Sequence, residues 1–244
     1  MLLLALGGAR SGMCAAEPEP FTATYAVEWH GITAGYSTLE LKQTGAQTYT
    51  YSSHIRARGL FRIAFPDVMT QVSNLRIAEA GVQPLKYHED DGSDDKKQDV
   101  TLDFDWDAHR VHGVNGTRPV DKPIEPGTQD PFSVQIALMR DLAAGHPPTS
   151  FLLFDKDEAK EYQYTRERTE TLETPLGRLD TVVYRSDRPG SDRVTRLWLA
   201  QSLGFLPVQA ERRRGDRVDF SLKVREVKRG DNGGGASAAS RGGD

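Results

Sequence analysis

Residues 100–107 read VTLDFDWD, so Val100, Leu102, Phe104 and Trp106 alternate without a break with Thr101, Asp103, Asp105 and Asp107. In an extended chain successive side chains point to opposite faces, which gathers the four apolar groups on one side and the threonine with three aspartates on the other. Wound as a helix, the same residues would scatter around its circumference. The stretch is a strand with one dry and one wet face. Residues 218–224, VDFSLKV, repeat the pattern, with Val218, Phe220, Leu222 and Val224 on one face and Asp219, Ser221 and Lys223 on the other.

Working outward, most of the chain after Phe21 follows the same grammar. Tyr25, Val27 and Trp29 alternate with Ala26 and Glu28 before Gly31 breaks the run. Further strands are expected at 36–42, 49–55, 69–77 and 110–114, the last as the return partner of 100–107. The second half adds 151–155, 159–169, 180–186, 194–200, 205–211 and 218–227. Their β-branched and aromatic content suits a pleated surface. Turns fall at Leu176-Gly177, Pro189-Gly190, Leu203-Gly204 and Gly215-Asp216.

One helix interrupts the strands. Asp130 is placed to cap it, with Pro131 at the first helical position, where its missing N–H costs nothing. Phe132, Ile136, Met139 and Ala143 then form a stripe with Leu138 and Leu142 beside it, and Gly145 with Pro147-Pro148 ends the helix. The spacing predicts a helix over 131–144. Isolated, it would be marginal, so it must lean on the sheet. The fold expected is mainly β: a curved antiparallel sheet or open half-barrel with one main amphipathic helix packed on it.

The chain has 244 residues, with 31 basic and 35 acidic side chains and a formal charge of −4, which argues against nucleic acid as a partner. A chain this long buries roughly 70–75% of its unfolded surface, enough for a full core. It lacks any apolar run of about 18 residues, so no helix is expected to span a membrane. Residues 1–16 (MLLLALGGARSGMCAA) begin with a short apolar run and end in small residues ahead of Glu17. They read as the remainder of a signal peptide, with export to the periplasm. Cleavage after Ala16 would remove Cys14, the sole cysteine, so the exported chain would rely on its core without disulfides. Residues 17–228 are expected to be one β-rich domain, and 229–244, rich in Gly, Ser and Ala, a disordered tail.

The chemistry-bearing motifs are sparse. His88-Glu89-Asp90-Asp91 with Asp94 and Asp95 has metal-ligating residue types but lacks calcium-loop spacing, and reads as a solvated acidic loop. His109 and His112 would fall on opposite faces of a strand. There is no G-x-S-x-G, and no phosphate loop or other cofactor motif. No catalytic or metal-binding residue is therefore assigned, and an enzyme is not expected. Arg212-Arg213-Arg214 with Arg217 marks a hairpin turn that either is merely solvated or contacts anionic lipid headgroups or an acidic partner.

The order of motifs resembles the DUF3108 family of bacterial envelope proteins. It runs from Tyr25, Gly31 and Gly35 through Leu60-Phe61-Arg62-Ile63-Ala64-Phe65-Pro66-Asp67 and Phe104-Asp105. It continues with Asp130-Pro131-Phe132-Ser133, Arg196-Leu197-Trp198-Leu199 and Leu206-Pro207-Val208. That family's function is unknown, so the resemblance implies no activity and no catalytic residues. More distantly, the pattern is similar to the periplasmic lipoprotein-localisation carriers, whose half-barrels hold acyl chains.

These readings converge on an exported, non-enzymatic protein binding a lipid or other hydrophobic ligand in a sheet groove. The candidate lining is Tyr25, Val27, Trp29, Leu102, Phe104, Trp106, Trp198, Val218, Phe220 and Leu222. Two alternatives stay open: an envelope structural or protein-interaction module without a small ligand, and a hydrolase whose groups assemble only in space.

Overall fold

The computed structural model describes residues 18–64, 67–93 and 95–230. The segment read as an export signal and the tail beyond Gly230 lie outside them. The alternating pattern becomes fourteen strands: β1 (Phe21–Trp29), β2 (Ile32–Gln43), β3 (Thr48–Ala57), β4 (Met69–Ala78), β5 (Gly81–Asp90), β6 (Val100–Asp105) and β7 (Arg110–Asn115), then β8 (Arg118–Pro123), β9 (Ser150–Asp155), β10 (Glu158–Thr174), β11 (Gly177–Asp187), β12 (Arg193–Ala200), β13 (Leu206–Arg214) and β14 (Arg217–Arg229). Among the described residues two α-helices accompany them, α1 (Phe61–Ala64) and α2 (Ser133–Ala143). Arg229, expected to open the tail, is the last residue of β14, and the Gly230 N–H still donates to the Pro20 carbonyl at 2.9 Å.

All fourteen strands form one antiparallel sheet in the order β8-β7-β6-β5-β4-β3-β2-β1-β14-β13-β12-β11-β10-β9. Every neighbouring pair is consecutive in the chain except β1 and β14, so the first and last strands meet at the centre. The sheet does not close into a barrel. Its edges are β8 and β9, and α2 lies between them in the chain. A parallel bridge from Gln129 to Leu153 ties the segment before α2 to the β9 edge. Pro119, Pro123 and the charged Arg118, Asp121 and Lys122 make β8 a poor template for further pairing.

Bulges bend the strands and strengthen their twist. β14 carries two, at Arg225 opposite Thr24/Tyr25 of β1 and at Asp219 opposite Arg212/Arg213 of β13, and β2 carries one at Ala34 opposite Val27/Glu28 of β1. The dry face holds Phe21, Tyr25, Leu41, Tyr51, Leu75, Tyr87, Leu102 and Phe104. α2 serves two apolar clusters: Phe132, Ile136 and Met139 join this one, whereas Val134 and Leu138 pack with Leu153, Tyr164, Val182, Tyr184 and Leu199. The Phe132 ring stacks on Tyr51 with centroids 4.1 Å apart. Ala143, expected on the buried stripe, is exposed.

The helix starts at Ser133, two residues later than predicted, and Pro131 belongs to the preceding turn. Asp130 still caps it. Its Oδ1 accepts from the backbone N–H groups of Phe132 (2.7 Å) and Ser133 (2.6 Å), while Ser133 Oγ accepts from the Asp130 N–H at 3.0 Å. This reciprocity satisfies N–H groups that the first turn would otherwise leave orphaned. Ser73 Oγ donates to Asp130 Oδ2 at 2.5 Å, and Gln129 Nε2 donates to the Val82 carbonyl at 2.8 Å. Farther along, Arg140 Nη2 donates to the carbonyls of Ala78 (2.7 Å) and Glu79 (2.8 Å). Both ends of α2 are thereby fastened to β4 and β5.

Candidate functional site

At the end of the sheet away from this anchorage, register brings seven strands to a common rim. Arg212 on β13 is the direct partner of Phe220 on β14, and Phe220 of Trp29 on β1. Val27 faces Gly35 on β2, which in turn pairs with Ala57 on β3. Ile55 pairs with Met69, Ser53 with Gln71 and Gln71 with Glu89 on β5. Direct antiparallel partners share a face. Together these residues, with Ala34, Phe61, Asp90 and Asp91, enclose a cavity of about 410 Å³.

One side of the cavity is apolar: Val27, Trp29, Ala34, Ile55, Ala57, Phe61, Met69 and Phe220. Phe61, from α1, meets Trp29 edge to face with centroids 5.8 Å apart and narrows the mouth. Gly35 is required by the floor, since a Cβ there would stand 2.2 Å from the Arg56 carbonyl oxygen. The polar side is a connected set. Tyr87 Oη donates to Glu89 Oε2 at 2.8 Å and accepts from Gln71 Nε2 at 3.2 Å. Burial, then the neighbouring Glu89 carboxylate, pushes the Tyr87 hydroxyl well above its usual pKa. The Arg212 guanidinium lies 5.7 Å from the Phe220 ring centroid, a cation–π contact. Desolvation at the cavity wall, then the Arg193 charge, holds its pKa below the usual arginine range, although part of the side chain stays exposed.

Of the ten residues proposed from the sequence, Val27, Trp29 and Phe220 line this cavity. Val218 borders a separate shallow depression with His30, Gly31 and Arg217. Leu222, partner of Val27, packs against the core one row deeper. The cavity lining does not include Tyr25, Leu102, Phe104, Trp106 or Trp198. Tyr25, Leu102 and Phe104 are core, and Trp106 stacks on Phe104 and donates from Nε1 to the Pro84 carbonyl at 2.7 Å. Trp198, also buried, donates from Nε1 to Glu170 at 3.1 Å under the Arg168 guanidinium. The same alternation that marks a cavity wall marks a packed interior, and only depth along the strand separates them.

Sequence reasoning missed Ile55, Met69, Gln71, Glu89 and Arg212 as lining residues, since register alone brings them together. The acidic loop has carboxylates of Asp90, Asp91 and Asp99 with oxygens within 4.8 Å of one another, a geometry that could offer oxygens to a cation. Two of the three are already engaged, Lys96 donating to Asp90 and Ser93 to Asp91, whereas Asp99 Oδ1 is buried without a hydrogen-bond partner. His88 turns away to Thr101, 3.0 Å distant. The arginine hairpin is largely compensated, with Arg213 near Glu211, Arg214 near Asp192 and Asp219, and Arg217 on Asp219.

Residues 24–216 match the family described as "Protein of unknown function (DUF3108)". No curated protein matches the chain. Among solved structures, a β-barrel-like protein of domain of unknown function DUF1849 from Brucella abortus is similar at 12% identity and TM-score 0.53, over 88% of this chain and 100% of that one. A protein of YmcC-like fold from Bacteroides fragilis has 11% identity and TM-score 0.39, over 87% and 97% of the two chains. The hypothetical protein CT021 from Chlamydia trachomatis has 10% identity and TM-score 0.37, over 89% and 90%. At such identities the likeness to the Brucella protein concerns the fold alone.

Proposed function

The chain belongs to the DUF3108 family of unknown function, and we propose that it is an exported, non-enzymatic protein whose cavity holds the apolar part of an amphiphile such as a lipid. The observation that carries this reading is the two-sided cavity. At about 410 Å³ it falls within the roughly 300–1,000 Å³ of small-molecule sites, which are mostly apolar with a few placed polar groups. An acyl chain would lie against Val27, Ile55, Met69 and Phe220, and a polar head would meet Gln71, Glu89 and Arg212. Export is supported by Cys14-Ala15-Ala16 ahead of Glu17, and the periplasm is the compartment that fits.

Binding is favoured over catalysis because Gln71, Tyr87 and Glu89 are hydrogen-bonded to one another rather than set out as nucleophile and base. The test is mass spectrometry of lipids co-purifying with protein isolated from its native periplasm. A defined amphiphile in stoichiometric amount is the expected result. Protein that arrives empty and takes up no fluorescent fatty acid or phospholipid would refute the reading.

A further inference from the structure

Among the described residues seven large apolar side chains are exposed, and five of them crowd the cavity end of the sheet. Trp29 and Ile32 flank the β1–β2 turn, and Leu60 and Ile63 lie on the β3–β4 connection. Tyr36 lies beside that connection, its hydroxyl accepting from Arg58 Nη1 at 3.1 Å. Leu60 is 83% exposed and Ile63 81%. Concentrated exposure of this kind marks a contact surface, unlike apolar residues scattered singly.

The charge around it is one-sided. Residues 56–63 read RARGLFRI, three arginines and no acid. Arg56, Arg58 and Arg62 are all exposed, and none forms an ion pair within 4.0 Å with a described carboxylate. Asp67 shares a small depression with Arg56 and Arg62, which still leaves positive charge in excess. This contrasts with the arginine hairpin at 212–217, whose charges are mostly met within the fold. Apolar tips between unpaired guanidiniums match the two layers of an anionic bilayer surface, phosphates outside and acyl chains beneath.

We infer that this end of the sheet docks on an anionic lipid bilayer. Leu60 and Ile63 enter the boundary between headgroups and acyl chains, and Arg56, Arg58 and Arg62 pair with lipid phosphates. The docking stands without any ligand in the cavity. It deepens the proposed function at one point: Phe61, between Leu60 and Arg62, is itself a cavity wall, so the mouth opens where lipid would be exchanged.

The test is flotation of the full-length chain with vesicles of phosphatidylglycerol and phosphatidylcholine in equal parts, against pure phosphatidylcholine. Wild type should float with the anionic vesicles only, and less as salt is raised. Removing Arg56, Arg58 and Arg62 as glutamines should weaken binding by roughly fivefold per charge. The double substitution Leu60→Ser with Ile63→Ser should weaken it at least tenfold, an order-of-magnitude expectation for two exposed apolar side chains. Both sites are exposed, so these variants should melt as wild type does. The apolar start of the chain is common to all variants, so differences between them read this surface alone. Equal binding to neutral vesicles, or unchanged flotation of either variant, would overturn the inference. So would sedimentation showing a dimer that the Leu60/Ile63 variant dissolves, since a second copy would then cover the surface. Uptake of a fluorescent fatty acid in the absence of vesicles tests the cavity separately, and the Leu60/Ile63 variant should retain it.

Discussion

Trp29 and Phe220 are direct cross-strand partners in the β1–β14 ladder, so one wall of the cavity is made where the first and last strands join. Strand pairing of such long sequence separation is the slowest kind to form. The cavity is therefore completed only when the ends of the meander meet, and its lining depends on β14 being in register.

That pairing decides how the cavity should be probed. A carboxylate at position 220 would be met by Arg212, its other direct partner, so Phe220→Glu is a compromised test. Ile55→Glu is the sharper one, because it puts a carboxylate on the apolar side of a cavity that Glu89 also lines, so the added charge would find repulsion rather than a partner there. It should abolish uptake of a fluorescent fatty acid. Phe220→Ala, at a half-buried wall, should cost less than the about 3–5 kcal/mol typical of a phenylalanine truncated in a core. Unfolding of Phe220→Ala in urea with a full core-sized loss, or undiminished uptake by Ile55→Glu, would contradict a ligand cavity.

Gly35 gives a second expectation. A methyl group there would sit 2.2 Å from the Arg56 carbonyl oxygen, and the obstacle is backbone that cannot swing aside. Gly35→Ala should therefore force β2 and β3 apart and cost about 1–3 kcal/mol, as overpacking does. A urea midpoint equal to wild type would show that the strands separate more easily than the ladder suggests.

How far the sequence led depended on whether bulges disturbed its period. Residues 100–107 read cleanly because β6 has no bulge against either neighbour. β5 escaped notice. Val82 and Pro84 face inward, but the irregularity opposite Asn74/Leu75 shifts parity, so Tyr87 rather than Lys86 is the next buried residue. β8 was missed because it is an edge strand with two prolines and only Val120 buried. The site was less legible than the fold, since Ser53, Gln71 and Glu89 meet only through the registers of two successive hairpins, β3–β4 and β4–β5. Arg140 is the plainest case of a residue with no sequence signal. Nothing in a helical pattern reveals that a buried guanidinium will hold the Ala78 and Glu79 carbonyls.

The buried cap of α2 makes stability depend on pH in an unusual direction. Asp130 is fully buried, and desolvation pushes its carboxyl from the ordinary 3.8 up to about 6, although Ser73, Phe132 and Ser133 all donate to it. A raised pKa means that the folded state takes up this proton before the unfolded chain does. The associated stability is fully present below about 4 and is lost as pH rises through about 6. Lowering the pH from 7 to about 4 should therefore stabilise the protein, by about 2–3 kcal/mol at most for a shift of this size. Asp141, also held up by burial, acts in the same sense. At still lower pH the trend should reverse. Asp90, lowered by the Gly92 N–H and Lys96, and Glu167, lowered by Arg196, then lose their partners' benefit. Asp130→Asn isolates the effect: its Oδ1 can still accept from Phe132 and Ser133, its amide can donate to Ser73, and it does not titrate. The variant should show a flatter profile of unfolding free energy between pH 7 and 4, measured by urea titration across that range. If the two profiles run parallel, the carboxyl is ionised throughout, and the Ser73–Asp130 contact is an ordinary charged cap.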